Sequence, residues 1–211
     1  MLNVERSQSQ MTDYFSLLDE PRRPWLDISA LKQKFLSRSS TLHPDKIHSA
    51  GEPERSAATK TFAELNAAYN CLAEPKSRLL HLLQLELGAK PKDVQQIPPA
   101  LADLFVEVAA ACRDSDAFLA EKRKITSPLV QVGFFERGQE WVERLQQTQA
   151  RLGDLKEKLV AELKSTDTAW ASGTAAERKS LLAGLENLYR LFSYLNRWNR
   201  QIQERLVQLT L

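Results

Sequence analysis

The chain has 211 residues, enough for one large domain or two small ones, with 43% hydrophobic and 27% charged residues. Its 29 basic residues against 27 acidic ones leave a net charge of +2, which argues against a nucleic-acid protein driven by bulk electrostatics. Only seven glycines stand among many Leu, Ala, Glu, Gln, Lys and Arg, and no period-two alternation is sustained, so the expected fold class is all-α. No apolar run approaches the length of a membrane span, so no membrane partner is expected. The opening MLNVERSQSQ lacks the apolar core of a secretory signal and is a poor start for an organellar transit peptide; the expected location is the bacterial cytosol. Cys71 and Cys112 lie far apart with no CxxC, which points to helix packing in a reducing compartment and not to a disulfide or zinc.

In chain order, Asp13 to Leu18 reads as a short helical turn carrying Tyr14, Phe15, Leu17 and Leu18, broken by Pro21 and Pro24. Asp27 is a candidate N-cap for a second helix reaching about Leu42, with Ile28, Leu31 and Phe35 at core spacing. Lys34 and Arg38, four apart, share a solvent-facing stripe on it. Pro44 ends that helix and restricts His43 to extended geometry, so His43, Asp45 and Lys46 belong to a loop that Gly51 and Pro53 prolong. A third helix then places Phe62, Leu65, Tyr69 and Leu72 on one face, and the two helices are expected to pack as a hairpin.

Three readings of the loop compete. A His-Asp pair can serve as general base and orienter or as metal ligands, but Pro44 spaces the two awkwardly and the chain has only three histidines. A plain surface loop with a turn-forming Pro-Asp is the second. The third comes from the frame: a helix with basic residues, then His43-Pro44-Asp45, then TFAELNAAYNCLAEPKSRLLHLL. Together these resemble a J-domain, the module that activates seventy-kilodalton heat-shock chaperones.

Within that family the chain most resembles HscB, the co-chaperone of iron-sulfur cluster assembly. The resemblance rests on Asp13-Tyr14-Phe15, on Glu74-Pro75-Lys76-Ser77-Arg78 followed by LLHLLQLELG, and on a helical C-terminal region in place of glycine-rich and zinc-binding regions. It implies a J-domain with its exit helix over 11–88 and a helical bundle over 91–211, L-shaped overall. It also implies that His43, Pro44, Asp45, Lys46, Lys34 and Arg38 meet a chaperone of the DnaK/HscA type. Serines and Thr41 crowd the second helix, so its basic set is reduced to Lys32, Lys34 and Arg38, with Lys46 in the loop; that implies weak electrostatic steering.

The resemblance further implies that an iron-sulfur scaffold protein docks on the first C-terminal helix, Ile97 to Cys112, where Leu101, Leu104, Phe105 and Val108 share a face. The alternative for those side chains is the core of the bundle itself. Asp114-Ser115-Asp116 is a candidate N-cap for a short helix with Phe118 and Leu119, and ITSPLVQVGFFERG over 125–138 reads as a connecting loop. From Gln139 a long helix carries Trp141, Leu145, Leu152, Leu155, Leu159 and Leu163, closed by Ser165 to Gly173. The last helix carries Leu181, Leu185, Leu188, Leu191, Phe192, Leu195, Trp198, Ile202 and Leu206. With the Ile97 helix these form a three-helix bundle; a coiled-coil homodimer is the competing arrangement, and a monomer or weak dimer is expected. No nucleotide loop, nucleophile elbow or metal motif occurs, so neither enzymatic activity nor a cofactor is expected. The alternative functions are a J-domain protein with another client and a helical adaptor with a degenerate J-domain.

Overall fold

The computed structural model describes residues 11–40, 51–91 and 97–210, and all their regular structure is helical. The helices are α1 (Tyr14–Leu17), α2 (Ile28–Ser39), α3 (Glu52–Ala73), α4 (Pro75–Leu87), α5 (Ala102–Lys122), α6 (Pro128–Ser172) and α7 (Ala175–Thr210), with a 3₁₀ turn over Pro99–Leu101. The chain forms two compact units. The first joins the residues up to Pro91 with Lys164–Glu186, and the second holds Lys92–Leu163 and Asn187–Leu211. Residues 164–186, which include the Ser165 to Gly173 segment read from sequence as closing the long helix and the Leu181 and Leu185 positions of the last one, therefore lie in the first unit. No helix among the described residues is long and apolar enough to cross a membrane.

In the first unit, Asp13 caps α1 by accepting from the amides of Phe15 and Ser16, and Asp27 caps α2 by accepting from Ser29 and Ala30, as the sequence pattern requires. α1, α2 and α4 each pack on α3. The core holds Phe15, Leu18, Leu31, Leu65, Ala68, Leu72, Leu79, Leu82 and Leu83, with Phe35 stacked on Tyr69 at 4.7 Å between α2 and α3. Ile28, expected in this core, is exposed at the first position of α2. Pro53, expected in the loop, stands in the first turn of α3, where its missing N–H costs nothing, and Glu52 and Glu54 there suit the positive end of the helix dipole. Pro75 opens α4 in the same way, with Glu74 accepting from the Ser77 amide at 2.7 Å, and Gly88 closes it in the left-handed region at φ 68°.

Between α6 and α7, Thr174 and Glu177 form a reciprocal cap: the Glu177 carboxylate accepts from the Thr174 amide at 2.6 Å, and the Thr174 hydroxyl accepts from the Glu177 amide at 3.4 Å. Gly173 is obligatory before it, because a Cβ there would come within 2.8 Å of the Ala169 carbonyl oxygen.

The second unit packs α5 with the long stretches of α6 and α7 that belong to it. Its buried apolar residues include Leu101, Val108, Cys112, Phe118, Leu119, Leu145, Leu152, Leu159, Leu163, Leu188, Phe192, Leu195, Trp198 and Ile202. Two sequence expectations are corrected here. Asp114-Ser115-Asp116 starts no helix; it lies inside continuous α5, where Ser115 is buried and its hydroxyl donates to the Cys112 carbonyl at 3.0 Å. An apolar phase that runs unbroken from Val108 through Cys112 to Phe118 and Leu119 outweighs three residues with a weak helix preference. The 125–138 segment is not a connecting loop either. Helix α6 begins at Pro128 and runs for 45 residues, leaving only a short link after α5. Ser127-Pro128 is the start signal there, and Gly133 and Gly138 are tolerated inside the helix, the latter close beneath the Phe118 ring.

Candidate chaperone-docking and client-docking surfaces

His43, Pro44, Asp45 and Lys46 lie outside the described residues, in the sequence between the end of α2 at Ser39 and the start of α3 at Glu52. Lys34 and Arg38 are described. Both turn toward the end of α1 instead of standing clear in solvent. The Lys34 ammonium donates to the Asp19 carbonyl at 2.8 Å and pairs with the Glu20 carboxylate at 2.8 Å. The Arg38 guanidinium donates to the Leu17 carbonyl at 2.7 Å and pairs with the Asp19 carboxylate. Asp19 reaches that position with φ 51°, a backbone conformation that Asp and Asn tolerate better than most residues.

Beneath this surface the first unit is organised around buried polar groups that sequence reasoning passed over. Arg78 on α4 is almost fully buried; its Nε donates to the Pro24 carbonyl at 2.8 Å and a terminal nitrogen to the Leu72 carbonyl at 2.5 Å. Burial pulls its pKa down to about 10, against the pull of the Glu74 and Asp167 carboxylates, so it stays charged. Arg78 thus ties α4 to the end of α3 and to the Pro21–Pro24 turn. That turn is held again by residues 164–186. Asp167, itself buried, accepts two bonds from Arg23 and one from the Trp25 amide at 3.3 Å, while the Trp170 indole donates to the Arg22 carbonyl at 2.8 Å. Lys164 lies 5.1 Å from the centre of the Trp25 ring.

His81, also on α4, is buried against Tyr14 and Phe15, with ring centroids at 4.7 and 5.7 Å, and its Nε2 accepts from the Tyr14 amide at 3.0 Å. Burial lowers its pKa, which suits the acceptor role of a neutral ring. It is a fastener of α1 to α4. The only local signal for Arg78 and His81 was their position on the apolar exit helix, where long-range backbone partners are invisible to periodicity.

In the second unit the four residues proposed from sequence for client contact separate. Leu101 and Val108 are core residues, each 1% exposed. Leu104 is half-buried and Phe105 is 40% exposed, its ring 6.2 Å from that of Trp198. Val106, which the helical-face argument left out, is 65% exposed beside them. The surface of α5 therefore offers Leu104, Phe105 and Val106. Arg151 pairs with Glu107 at its margin, and Arg205 ties α7 to the Cys112 carbonyl at 3.2 Å and to Asp116 at 2.5 Å.

A helical unit whose α2 and α3 flank a His-Pro-Asp segment in the sequence, in a chain that continues into further helices, resembles a J-domain protein with a helical C-terminal region. The particular proteins the chain resembles are HscB co-chaperones. It is 31% identical over 112 residues to the co-chaperone protein HscB homologs of Paraburkholderia xenovorans (strain LB400) and of Paraburkholderia phytofirmans, matches that take in 49% of this chain and 63% of each relative. The chain thus spans somewhat under two thirds of the length of these curated relatives. Its fold is shared with the chaperone HscB from Vibrio cholerae (TM-score 0.60, 19% identity, covering 94% of this chain and 99% of that one). It is shared also with human co-chaperone protein HscB (TM-score 0.57, 18% identity, covering 93% and 81%). No family model matches the chain. The all-α fold and the HscB resemblance read from the sequence both hold.

Proposed function

We propose that this chain is a J-domain co-chaperone that acts with a heat-shock chaperone of the DnaK/HscA type in iron-sulfur cluster assembly. The observation that carries the reading is the coincidence of an HscB-like sequence and an HscB fold with an intact His43-Pro44-Asp45 between α2 and α3. In this reading His43, Pro44, Asp45 and Lys46, with Lys34 and Arg38 on α2, meet the ATP-bound chaperone and favour the conformation that hydrolyses ATP. The chemistry belongs to the partner; the chain contributes differential binding between the partner's states.

The client is the iron-sulfur scaffold protein, docked on the first turns of α5 through the exposed Phe105 and Val106, with the half-buried Leu104 at the edge of the contact. Leu101 and Val108 support that face from the core. Apolar side chains exposed on a helix and rimmed by Glu107 and Arg151 suit a protein partner better than a small ligand. Binding both partners at once raises the client's effective concentration at the chaperone.

The test is ATP turnover by the chaperone with this protein, with and without the scaffold protein. Stimulation is expected, with a further rise when scaffold is present. His43→Gln is expected to abolish both effects, and Phe105→Ser to remove only the scaffold-dependent part. Stimulation that ignores the scaffold would redirect the search to a different client. No stimulation from folded protein would leave a helical adaptor.

A further inference from the structure

Arg38 and Lys34 do not present their charges to solvent as two open cations. Arg38 has committed both terminal nitrogens, one to the Leu17 carbonyl and one to the Asp19 carboxylate. A partner carboxylate that takes Arg38 by a two-pronged edge must share a terminal nitrogen already bonded inside the chain, so it competes with the Leu17 carbonyl or the Asp19 carboxylate for the orientation and charge of the guanidinium. Lys34 has given two of its three donors to the Asp19 carbonyl and the Glu20 carboxylate. Lys34 and Arg38 with the two carboxylates of Asp19 and Glu20 carry no net charge, which weakens the long-range pull that an acidic partner would otherwise feel from these two cations.

We propose that Asp19 and Glu20 act as an internal competitor for the acidic partner surface that Lys34 and Arg38 would meet, and so set how tightly and how selectively the chain docks. This rests on the co-chaperone reading above. Only a partner that offers Lys34 and Arg38 carboxylates better placed than Asp19 and Glu20 gains from docking; a diffusely acidic surface does not. The Asp19 side chain is 68% exposed, so it can swing away when displaced, while the backbone oxygens of Leu17 and Asp19 keep both cations roughly in position. The docking face is thus assembled from α2 and the end of α1 together.

The test is binding of the full-length Asp19→Asn/Glu20→Gln variant to the ATP-bound heat-shock chaperone at low and at physiological salt, with circular dichroism to check the fold. Asn keeps the tolerance for positive φ and both changes keep the side-chain shape. Removing the exposed Asp19 charge and the largely covered Glu20 charge is expected to tighten binding about three- to tenfold at low salt, with a steeper salt dependence than the parent chain. Adding Lys34→Ala and Arg38→Ala to the variant is expected to erase the gain. If the double variant does not fold, Glu20→Gln alone carries the same test with a smaller gain. Unchanged or weaker binding by a folded variant overturns the competitor and leaves the co-chaperone reading standing. No binding by either the parent chain or the variant overturns both.

Discussion

Among the most deeply buried side chains of the first unit are a guanidinium, an imidazole and a carboxylate, those of Arg78, His81 and Asp167. The second unit buries leucines, Phe192 and Trp198, and its buried polar side chains Ser115 and Thr148 bond to carbonyls of their own helices. The difference is one of what fixes the packing. An apolar stripe accepts any neighbour of suitable volume, so its register follows from periodicity and shape. A buried cation accepts only the geometry that satisfies its donors, and misplacing it by one residue strands a charge. The first unit trades tolerance for a single arrangement of α1, α3, α4 and the Pro21–Pro24 turn.

The chain carries probes for this contrast. Trp25 and Trp170 belong to the first unit, Trp141 and Trp198 to the second, so each unit can be followed by replacing the other pair with Phe. The largest effect is expected from Arg78→Met, which fits the volume but leaves the Pro24 and Leu72 carbonyls without their donor. Urea unfolding followed by Trp25 and Trp170 should lose about 3–5 kcal/mol, with the Trp141 and Trp198 signal far less affected. A common shift of both signals would mean the units unfold as one and the contrast has no energetic meaning. Leu145→Ala should cost about 3 kcal/mol with the opposite pattern, through the cavity it leaves in the second unit.

The smallest effect separates the units by pH. His81 has a folded-state pKa below its unfolded value, so acidification protonates the unfolded chain first. The stability of the first unit should be level above about pH 6.5 and decline as pH falls toward the folded value. His81→Gln keeps an acceptor for the Tyr14 amide and removes the titration, so it should flatten that decline. Asp13, whose carboxyl lies below its ordinary value because bonds from Ser16 and Arg22 outweigh burial, titrates in a more acidic window. A second-unit signal that follows the same pH profile would contradict the assignment to His81.

What the sequence disclosed follows from the same contrast. Asp27 as a cap, the buried faces of α2 and α3, and the stripes of α6 and α7 depend on residues three or four apart, and local pattern suffices for them. Asp114-Ser115-Asp116 and the 125–138 segment misled because cap-forming and helix-breaking residue types were weighed above the continuation of the helix. Arg78, Asp167 and Trp170 were illegible because their partners stand 54, 144 and 148 residues away. At the candidate docking surfaces, periodicity identified α5 but not which side chains are exposed on it. Likewise, the spacing of Lys34 and Arg38 gave their shared stripe but not their pairing with Asp19 and Glu20, because that pairing needs Asp19 at positive φ.

The bond between Arg23 and Asp167 also has a meaning in time. The segment that needs Asp167 leaves the ribosome 144 residues before Asp167 does, an interval of roughly 7–30 s at ordinary rates of synthesis. Through that interval the Pro21–Pro24 turn lacks its bonds to Asp167 and Trp170, and of the clasps described above only Arg78 is available to hold it. Translation itself thus delays completion of the first unit until the segment carrying Asp167 and Trp170 has been made, so a nascent polypeptide is held back from presenting its finished N-terminal surface.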